Sequence, residues 1–357
     1  MKVSPFPTGF VLTMIIAVAS MMTWTGCDSE SSMSEPMGSG GEIGIVSDLV
    51  GQIRIDGSST VQPISNAIRE TFIVQHPGVN IDVGGNGTGN GFESFAIKGT
   101  DISDASRPIK PSEFEKCREA GVRFLEIPVA YDGLTIVVNP GNDWVKQLTV
   151  DQLKLMFVGD DAAQTWSDVD ESWPDETINI FAPGTGSGTY DYFHEVVAKK
   201  DEKELRDDMN LNEDDNILVQ GVAGNQYSIG FFGKAYYDEN KERLRAVPIV
   251  NPKDETAYLP TTENIAASLY APFSRPLFIY VNSESLNRAE VTTFVEYYLD
   301  NAVTASEAVG YIRLPDSVTE AARANFDNEV TGTHFVDGDD NRSGPLTELF
   351  VPENLTD

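Results

Sequence analysis

The chain has 357 residues, and its 40% hydrophobic content can fill the core of two modest domains or of one large domain. It carries 56 acidic and 25 basic side chains, which gives a formal net charge of −31. This charge argues against nucleic acid or an anionic membrane surface as a partner, so any bound anion must be captured by local groups.

The amino terminus is typical of an exported lipoprotein. Lys2 precedes the apolar run "FVLTMIIAVASMM", which is too short to span a bilayer, and the segment ends in "WTGC". These letters resemble the lipobox of bacterial lipoproteins, with Trp24 where Leu is usual. We therefore predict a signal peptide over residues 1–26, a lipid on Cys27 and a flexible tether over 27–47. The protein would face the periplasm or the cell exterior, held to a bacterial membrane by the lipid alone.

Strand and helix patterns alternate along the chain from residue 52 onward. Apolar residues alternate in the strands and recur at helical spacing in the segments between them. The first predicted elements are 52–56, 61–72, 79–85, 91–99 and 111–121, followed by two strands at 122–130 and 134–139. Further strands are predicted at 177–183, 228–233 and 275–282, and further helices at 150–158, 189–200 and 288–303. This alternation predicts an α/β fold with a mainly parallel sheet.

The order of these elements predicts two α/β lobes. We assign residues 48–134 plus 276–332 to lobe 1 and residues 135–275 to lobe 2, with strand 275–282 carrying the chain back between them. Two crossings of this kind leave a cleft between the lobes, and ligands favour such clefts. Residues 333–357 lack any periodic pattern and predict a loosely ordered tail.

Three loops share one design, in which a strand leads through Gly, Ser and Thr into a helix. They read "DGSST" (56–60), "GGNGTGNG" (84–91) and "GTGSGT" (184–189). The start of a helix presents unpaired N–H groups, Gly lets a ligand approach the backbone, and hydroxyls add donors. Three such ends together would form an anion-binding cage, although each loop alone also fits an ordinary helix cap or turn.

Two charged residues are candidates to complete such a cage. Arg107, in "DISDASRPIK", has the planar guanidinium that grips an oxyanion with two parallel hydrogen bonds; the alternative is a surface salt bridge, for instance to Asp104. Asp132, in "VAYDGLTIVVN", is our candidate acceptor for the proton that phosphate retains at neutral pH and sulfate lacks. Asp56 and Asp104 compete for this role, and each of the three also fits a capping or turn position.

Enzyme motifs are largely missing from the sequence. "GTGSGTY" lacks the Lys of a nucleotide-binding P-loop, and there is no GxSxG nucleophile elbow. His76, His194 and His334 show neither metal-ligand spacing nor pairing with a Ser, and Cys117 fits a small buried side chain. We therefore predict a binding protein without catalysis, metal or cofactor.

Seven motifs, in order, resemble those of one known family. They are "DGSSTVQPI", "DISDASRPI", "VAYDGLTIVVNP", "GTGSGTYDYF", "LVQGVAGNQYSIGFFG", "RPLFIYVN" and "VEYYLDNAVTASEAVGYIRLP". From about residue 51 to 333 the chain is similar to the PstS family, the phosphate-binding proteins of bacterial phosphate ABC transporters. The resemblance implies a type II periplasmic-binding-protein fold: two α/β lobes, joined by two crossover segments, close on one inorganic phosphate and deliver it to a membrane permease. We expect the protein to act as a monomer, although the sequence leaves the oligomeric state open.

The resemblance further implies a set of phosphate contacts. Carried over to this sequence, they are Ser58, Ser59, Thr60, Thr88, Arg107, Ser187, Gly188 and Thr189. Some family members have Asp where this chain has Arg107, and Arg where this chain has Pro183. The acceptor for the phosphate proton must then come from elsewhere, and Asp132 is the candidate.

Three other functions remain compatible with the sequence. The same cage could bind another oxyanion, such as sulfate or molybdate. It could serve a phosphomonoesterase with a Ser nucleophile, although no base or metal cluster accompanies it. The fold could also carry a surface adhesin or sensor that binds phosphate without taking part in its uptake.

Overall fold

The computed structural model describes residues 48–357. The predicted signal peptide, the lipid on Cys27 and the tether lie outside the described residues and stay predictions. None of the helices among these residues combines the length and the apolar character that a membrane span requires.

The first third of the described chain alternates strands and helices, as the sequence predicts. Its elements are β1 (Val50–Gly57), α1 (Gln62–Gln75), β2 (Gly78–Val83), α2 (Thr88–Ala96), β3 (Ile102–Ala105) and α3 (Pro111–Glu119). Pro63 occupies the first turn of α1, where its missing N–H costs no hydrogen bond. Ile64, Ile68 and Phe72 follow at helical spacing and bury one face of α1 against the sheet.

A long strand, β4 (Phe124–Val138), links the two ends of the main sheet. The prediction of two separate strands here is wrong, because a partner continues along the whole length of β4. Its first part pairs antiparallel with β11 (Ser274–Asn282), and from Leu134 onward it pairs with β7 (Ser228–Gly233). All fifteen residues of β4 are buried, so no exposed turn interrupts the strand.

The middle of the chain builds the other end of the sheet and several short elements. They are α4 (Val150–Phe157), α5 (Trp166–Val169), β5 (Asn179–Pro183), α6 (Gly188–Val197), β6 (Asn210–Asn212), α7 (Asp215–Gly224), β7, α8 (Lys234–Asn240), β8 (Arg245–Ala246), β9 (Ile249–Val250), β10 (Ala257–Tyr258) and α9 (Thr262–Ala266). The main sheet has the order β2-β1-β3-β11-β4-β7-β5-β6, and β8 pairs with β4. The pairs β1–β2, β1–β3, β5–β6 and β5–β7 are parallel, whereas β11 and β4 pair antiparallel with their neighbours, so the sheet is mixed.

The end of the chain folds back onto the core. α10 (Ala289–Ala308) and α11 (Asp316–Asp327) precede β12 (Val336–Asp337), β13 (Asp340–Asn341) and α12 (Leu346–Leu349). The prediction of a loose tail over residues 333–357 is wrong, because Phe335, Leu346 and Phe350 are buried there. These apolar residues follow no helical or strand period, so no periodic pattern in the sequence predicts their burial.

Candidate functional site

The loops that follow β1, β2 and β3 meet around one cavity. The carboxyl ends of β1 and β3 lie at the same sheet edge, where ligands of open α/β sheets bind. The cavity has a volume of about 550 Å³. Of the residues predicted from sequence, it is lined by Ser58, Ser59, Thr60, Thr88 and Arg107. Further lining residues include Ser106, Lys110, Asp191, Tyr192, His194, Glu195, Lys199 and Arg275.

The first loop is held in place by its own backbone and by β3. The N–H of Ser58 donates to the carbonyl oxygen of Asp104 at 2.8 Å, and the N–H of Thr60 donates to Ser58 Oγ at 3.2 Å. Gly57 precedes them at φ +142°, and a Cβ there would lie 2.0 Å from the Asp104 carbonyl oxygen. Only glycine therefore allows β1 and β3 to approach closely enough to place Ser58 and Thr60 at the cavity.

The second loop is organised by Asp56. Its Oδ1 accepts hydrogen bonds from the N–H of Gly57 at 2.8 Å and from the N–H of Asn86 at 3.2 Å, and both carboxylate oxygens accept from Asn86 Nδ2. This carboxylate therefore serves as a turn anchor. Thr88 begins α2, and its hydroxyl lies 3.1 Å from Ser106 Oγ, which joins the second loop to the end of β3.

The Arg107 guanidinium lines the cavity but is paired with an acid. Its Nη1 and Nη2 donate to the two carboxylate oxygens of Glu113 at 2.8 and 2.7 Å, a bidentate geometry. Glu113 also accepts from the N–H of Lys110 at 2.9 Å and so fixes the start of α3. The salt bridge that the sequence offered as an alternative thus exists, with Glu113 rather than Asp104 as the partner.

Arg275 on β11 provides a second guanidinium, which the sequence analysis did not single out. Its Nη2 donates to Thr60 Oγ1 at 2.9 Å and its Nη1 to Ser106 Oγ at 3.2 Å. The guanidinium carbon lies 3.5 Å from the ring centroid of Tyr192, a cation–π contact. Nη1 also contacts the carboxylate of Glu195 on α6 at 3.2 Å. The feature of the sequence that could have indicated this role is the position of Arg275, a single basic residue at the start of an otherwise apolar strand.

Asp132 lies behind Arg275 and orients it. The strand register places the two residues opposite each other, and Arg275 Nε donates to Asp132 Oδ2 at 3.2 Å. Burial raises the pKa of the Asp132 carboxyl, and the neighbouring Arg275 opposes that rise. The Asp132 side chain is 4% exposed. Its role as acceptor of a ligand proton stays a prediction.

The start of α6 lies beside the cavity. Ser187 caps this helix, its Oγ accepting from the N–H of Thr189 at 3.2 Å. Ser187, Gly188 and Thr189 are not among the residues that line the cavity. A Cβ on Gly188 would lie 3.2 Å from the Cα of Thr60, so this backbone packs directly on the first loop. Ser59 Oγ adds a hydrogen bond of 3.2 Å to Asp191 Oδ2.

The histidines and the cysteine occupy separate places. His194 lines the cavity with Nε2 2.9 Å from the Lys203 carbonyl oxygen, whereas His76 ends α1. Burial raises the pKa of the Cys117 thiol to about 12. Among residues 48–357 no group of three or more His, Cys, Asp or Glu side chains could hold a metal ion.

Asp104, the third acidic residue considered from the sequence, is fully buried beneath the first loop. Its Oδ2 accepts from Ser65 Oγ at 2.8 Å, and Oδ1 has no partner in the described part of the chain. Burial raises the pKa of this carboxyl from 3.8 to about 8, the Ser65 hydrogen bond opposes the rise, and Asp56 adds to it. Asp104 is therefore held largely as the neutral acid at pH 7.

The raised pKa of Asp104 predicts a pH-dependent stability. The folded state holds this proton up to about pH 8, and the unfolded chain releases it near pH 3.8. The protonated Asp104 carboxyl therefore makes its full contribution to the free energy of unfolding below about pH 3.8, and this contribution is lost as pH rises to about 8. We expect Asp104→Asn to melt higher than wild type, with a gap in Tm that widens across this range and is constant above it.

Thermal melts between pH 5 and 9 measure this gap. Asp82→Asn, a substitution of the same type at an exposed position on β2, serves as the control and should give an offset that does not change with pH. Parallel curves for wild type and Asp104→Asn would contradict the assignment.

Comparisons with known proteins agree on one group. Residues 45–302 match the PBP superfamily domain. The chain is 43% identical over 305 residues to Protein SphX of Synechococcus elongatus, covering 85% of this chain and 89% of that protein. It is 41% identical over 270 residues to the phosphate-binding protein PstS of Staphylococcus haemolyticus, covering 75% of this chain and 83% of that protein.

Two solved structures extend this likeness to the fold. A possible phosphate-binding protein from Planctomyces limnophilus is 41% identical, with a TM-score of 0.77, over 79% of this chain and 100% of that one. An ABC-type phosphate transport receptor from Vibrio cholerae is 26% identical, with a TM-score of 0.57, over 74% of this chain and 100% of that one.

Proposed function

The chain belongs to the PstS family of the PBP superfamily and has its type II periplasmic-binding-protein fold, and from that premise we propose that it captures inorganic phosphate and delivers it to the permease of an ABC transporter. The relatives are named as binding and transport proteins. We assign the same role to this chain, as a receptor that binds phosphate without transforming it.

The observation that carries the proposal is the setting of Arg275. The Arg275 side chain is 11% exposed and its guanidinium contacts the hydroxyls of Thr60 and Ser106, so charge and neutral donors converge at one point of the cavity. Of its two acidic partners, Asp132 is buried and fixed. Glu195 is half exposed, so an oxygen of a bound phosphate can displace its carboxylate from Nη1.

Local donors can hold phosphate despite the acidic composition of the protein. Repulsion between the ion and distant surface carboxylates is screened over about 8 Å at physiological ionic strength. Within the cavity, the N–H groups at the start of α2 and the hydroxyls of Ser58, Ser59 and Thr60 would act over hydrogen-bond distances. Short-range donation from a desolvated site therefore outweighs the long-range field.

Phosphate would also hold the two predicted lobes together. The contacts of Gly188 with Thr60 and of Asp191 with Ser59 would join the predicted lobe 2 (135–275) to the predicted lobe 1 (48–134 plus 276–332), and β4 and β11 would form the two crossings. An ion that contacts donors on both sides favours the closed arrangement by its differential affinity. Closure of the lobes would form the surface that the permease recognises.

The protein would work outside the cytoplasm. We assign residues 1–26 to export and Cys27 to lipidation. The tether over residues 27–47 would let the folded part of the protein move away from the membrane surface. A single tethered monomer would then collect phosphate near its permease.

Isothermal titration tests the function directly. Protein freed of endogenous phosphate should bind phosphate with Kd in the micromolar range or below and bind sulfate markedly more weakly at equal ionic strength. Equal affinity for both ions would instead support a general oxyanion receptor. No binding of phosphate at micromolar concentrations would refute the proposal.

A further inference from the structure

The loop over residues 106–110, which brings Ser106, Arg107 and Lys110 to the cavity, is held in place by hydrogen bonds to the backbone of Ile109. The N–H of Ile109 donates to the hydroxyl oxygen of Tyr280 at 2.9 Å, and its carbonyl oxygen accepts from Asn341 Nδ2 at 2.8 Å. Ile109 is fully buried. Both backbone polar groups of this residue are therefore fixed by side chains distant in sequence.

Tyr280 is itself held by a buried carboxylate. Its hydroxyl donates to Glu126 Oε2 at 2.9 Å, and the same oxygen accepts from Thr333 Oγ1 at 2.6 Å. Glu126 Oε1 accepts from the N–H of His334 at 2.9 Å and lies 3.1 Å from His334 Nδ1. Burial, followed by the Glu126 charge, raises the pKa of Tyr280 well above its ordinary value, so the hydroxyl keeps its proton. A carboxylate with this many partners holds Tyr280 in one orientation.

Residues 333–357, which we name the C-terminal segment, supply most of these groups and are joined to one another by hydrogen bonds. Arg342 Nη1 donates to the carbonyl oxygens of His334, Val336 and Asn354 at 3.2, 2.7 and 3.0 Å. The backbones of Thr333 and Thr356 exchange two hydrogen bonds of 2.8 Å. This segment is thus closed on itself and packed against the side of β4 and β11 that carries Glu126 and Tyr280.

We propose that the C-terminal segment positions the 106–110 loop for ligand binding, with Tyr280 and Asn341 as positioning residues. The link to the ligand is Ser106, whose Oγ contacts both Thr88 Oγ1 and Arg275 Nη1. A displacement at Ile109 moves Ser106 and misaligns the guanidinium that grips the anion. The affinity part of this inference rests on the proposed phosphate function.

Two single-atom changes at the same carboxylate separate positioning from stability. Tyr280→Phe removes the hydroxyl that holds Ile109 and leaves a buried N–H without a partner. Thr333→Val removes a hydrogen bond to the same Glu126 oxygen and one accepted from the N–H of Phe335. Glu126 keeps its hydrogen bonds with Tyr280 and with the N–H of His334, so Tyr280 stays held against Ile109 in this variant. Both variants should lower Tm. We expect Tyr280→Phe to bind phosphate about 3- to 10-fold more weakly and Thr333→Val to bind within about 2-fold of wild type.

Hydrogen exchange of the ligand-free protein gives a readout that does not depend on phosphate. Peptides over residues 105–112 should exchange faster in Tyr280→Phe and in Asn341→Ala, and at the wild-type rate in Thr333→Val. Unchanged exchange in the first two variants overturns the inference. So does an equal loss of phosphate affinity in Tyr280→Phe and Thr333→Val. Failure of the wild-type protein to bind phosphate would refute the proposed function. In that case the hydrogen-exchange result alone would test whether the C-terminal segment positions the 106–110 loop.

Discussion

Arg275→Gln is expected to lower phosphate affinity by about 30-fold or more. Arg275 provides the guanidinium that contacts Thr60 and Ser106 in the cavity and is not neutralised by a fixed bidentate partner. Removing one member of a desolvated, hydrogen-bonded charge pair costs about 2–5 kcal/mol, and 1.4 kcal/mol corresponds to a tenfold change in Kd. Titration calorimetry with phosphate measures the loss.

The control for this variant addresses folding. Arg275→Gln leaves the Asp132 carboxylate buried without its partner, which destabilises the native state by itself. The double variant Arg275→Gln, Asp132→Asn removes that charge and should recover much of the lost Tm without recovering phosphate affinity. Recovery of affinity along with Tm would assign the effect to folding.

Arg107→Gln provides the matched comparison between the two guanidinium groups. Arg107 is held bidentately by Glu113, so less of its donor capacity is free for a ligand. We expect its replacement to weaken phosphate binding by a smaller factor than that of Arg275. The reverse order would give the larger role to Arg107, which is one of the phosphate contacts that the resemblance to the family implied.

The placement of the first two loops around the cavity is the part of the site that could be predicted from the sequence. The Gly, Ser and Thr loops are local signals, since a strand end followed by a helix cap is written in consecutive residues. The structure accordingly places Ser58, Ser59, Thr60 and Thr88 around one cavity. The pairing of Arg107 with Glu113 is also nearly local, because Glu113 lies in the first turn of the next helix.

The role of Arg275 cannot be predicted from the residues next to it in the sequence. It arises because β11 returns antiparallel beside β4 in a register that places Arg275 opposite Asp132, 143 residues earlier in the chain. Sequence patterns give strands but not their register when both faces are buried, because alternation is then lost. The uninterrupted course of β4 and the packing of residues 333–357 were missed for related reasons, since each depends on a partner distant in sequence.

Gly188→Val tests whether closure is needed for binding. The Gly188 backbone packs against Thr60, and even a Cβ would lie 3.2 Å from the Thr60 Cα and 3.3 Å from its Oγ1. The γ-methyl groups of valine require further separation, and overpacking of this kind costs about 1–3 kcal/mol. We expect phosphate affinity to fall about 10- to 100-fold, because the start of α6 can no longer rest on the first loop.

Gly188→Val should weaken closure of the cleft and leave the stability of the fold largely unchanged. Gly188 is at the first position of α6, so valine there leaves the hydrogen bonds of the helix intact, and opening the cleft relieves the clash. Small-angle scattering should then show no compaction on addition of phosphate, in contrast to wild type. Gly224→Val, at the end of α7 where a Cβ would meet nothing within 4 Å, is the control and should bind normally. Wild-type affinity in Gly188→Val would mean that phosphate binding does not require the start of α6 to rest on the first loop.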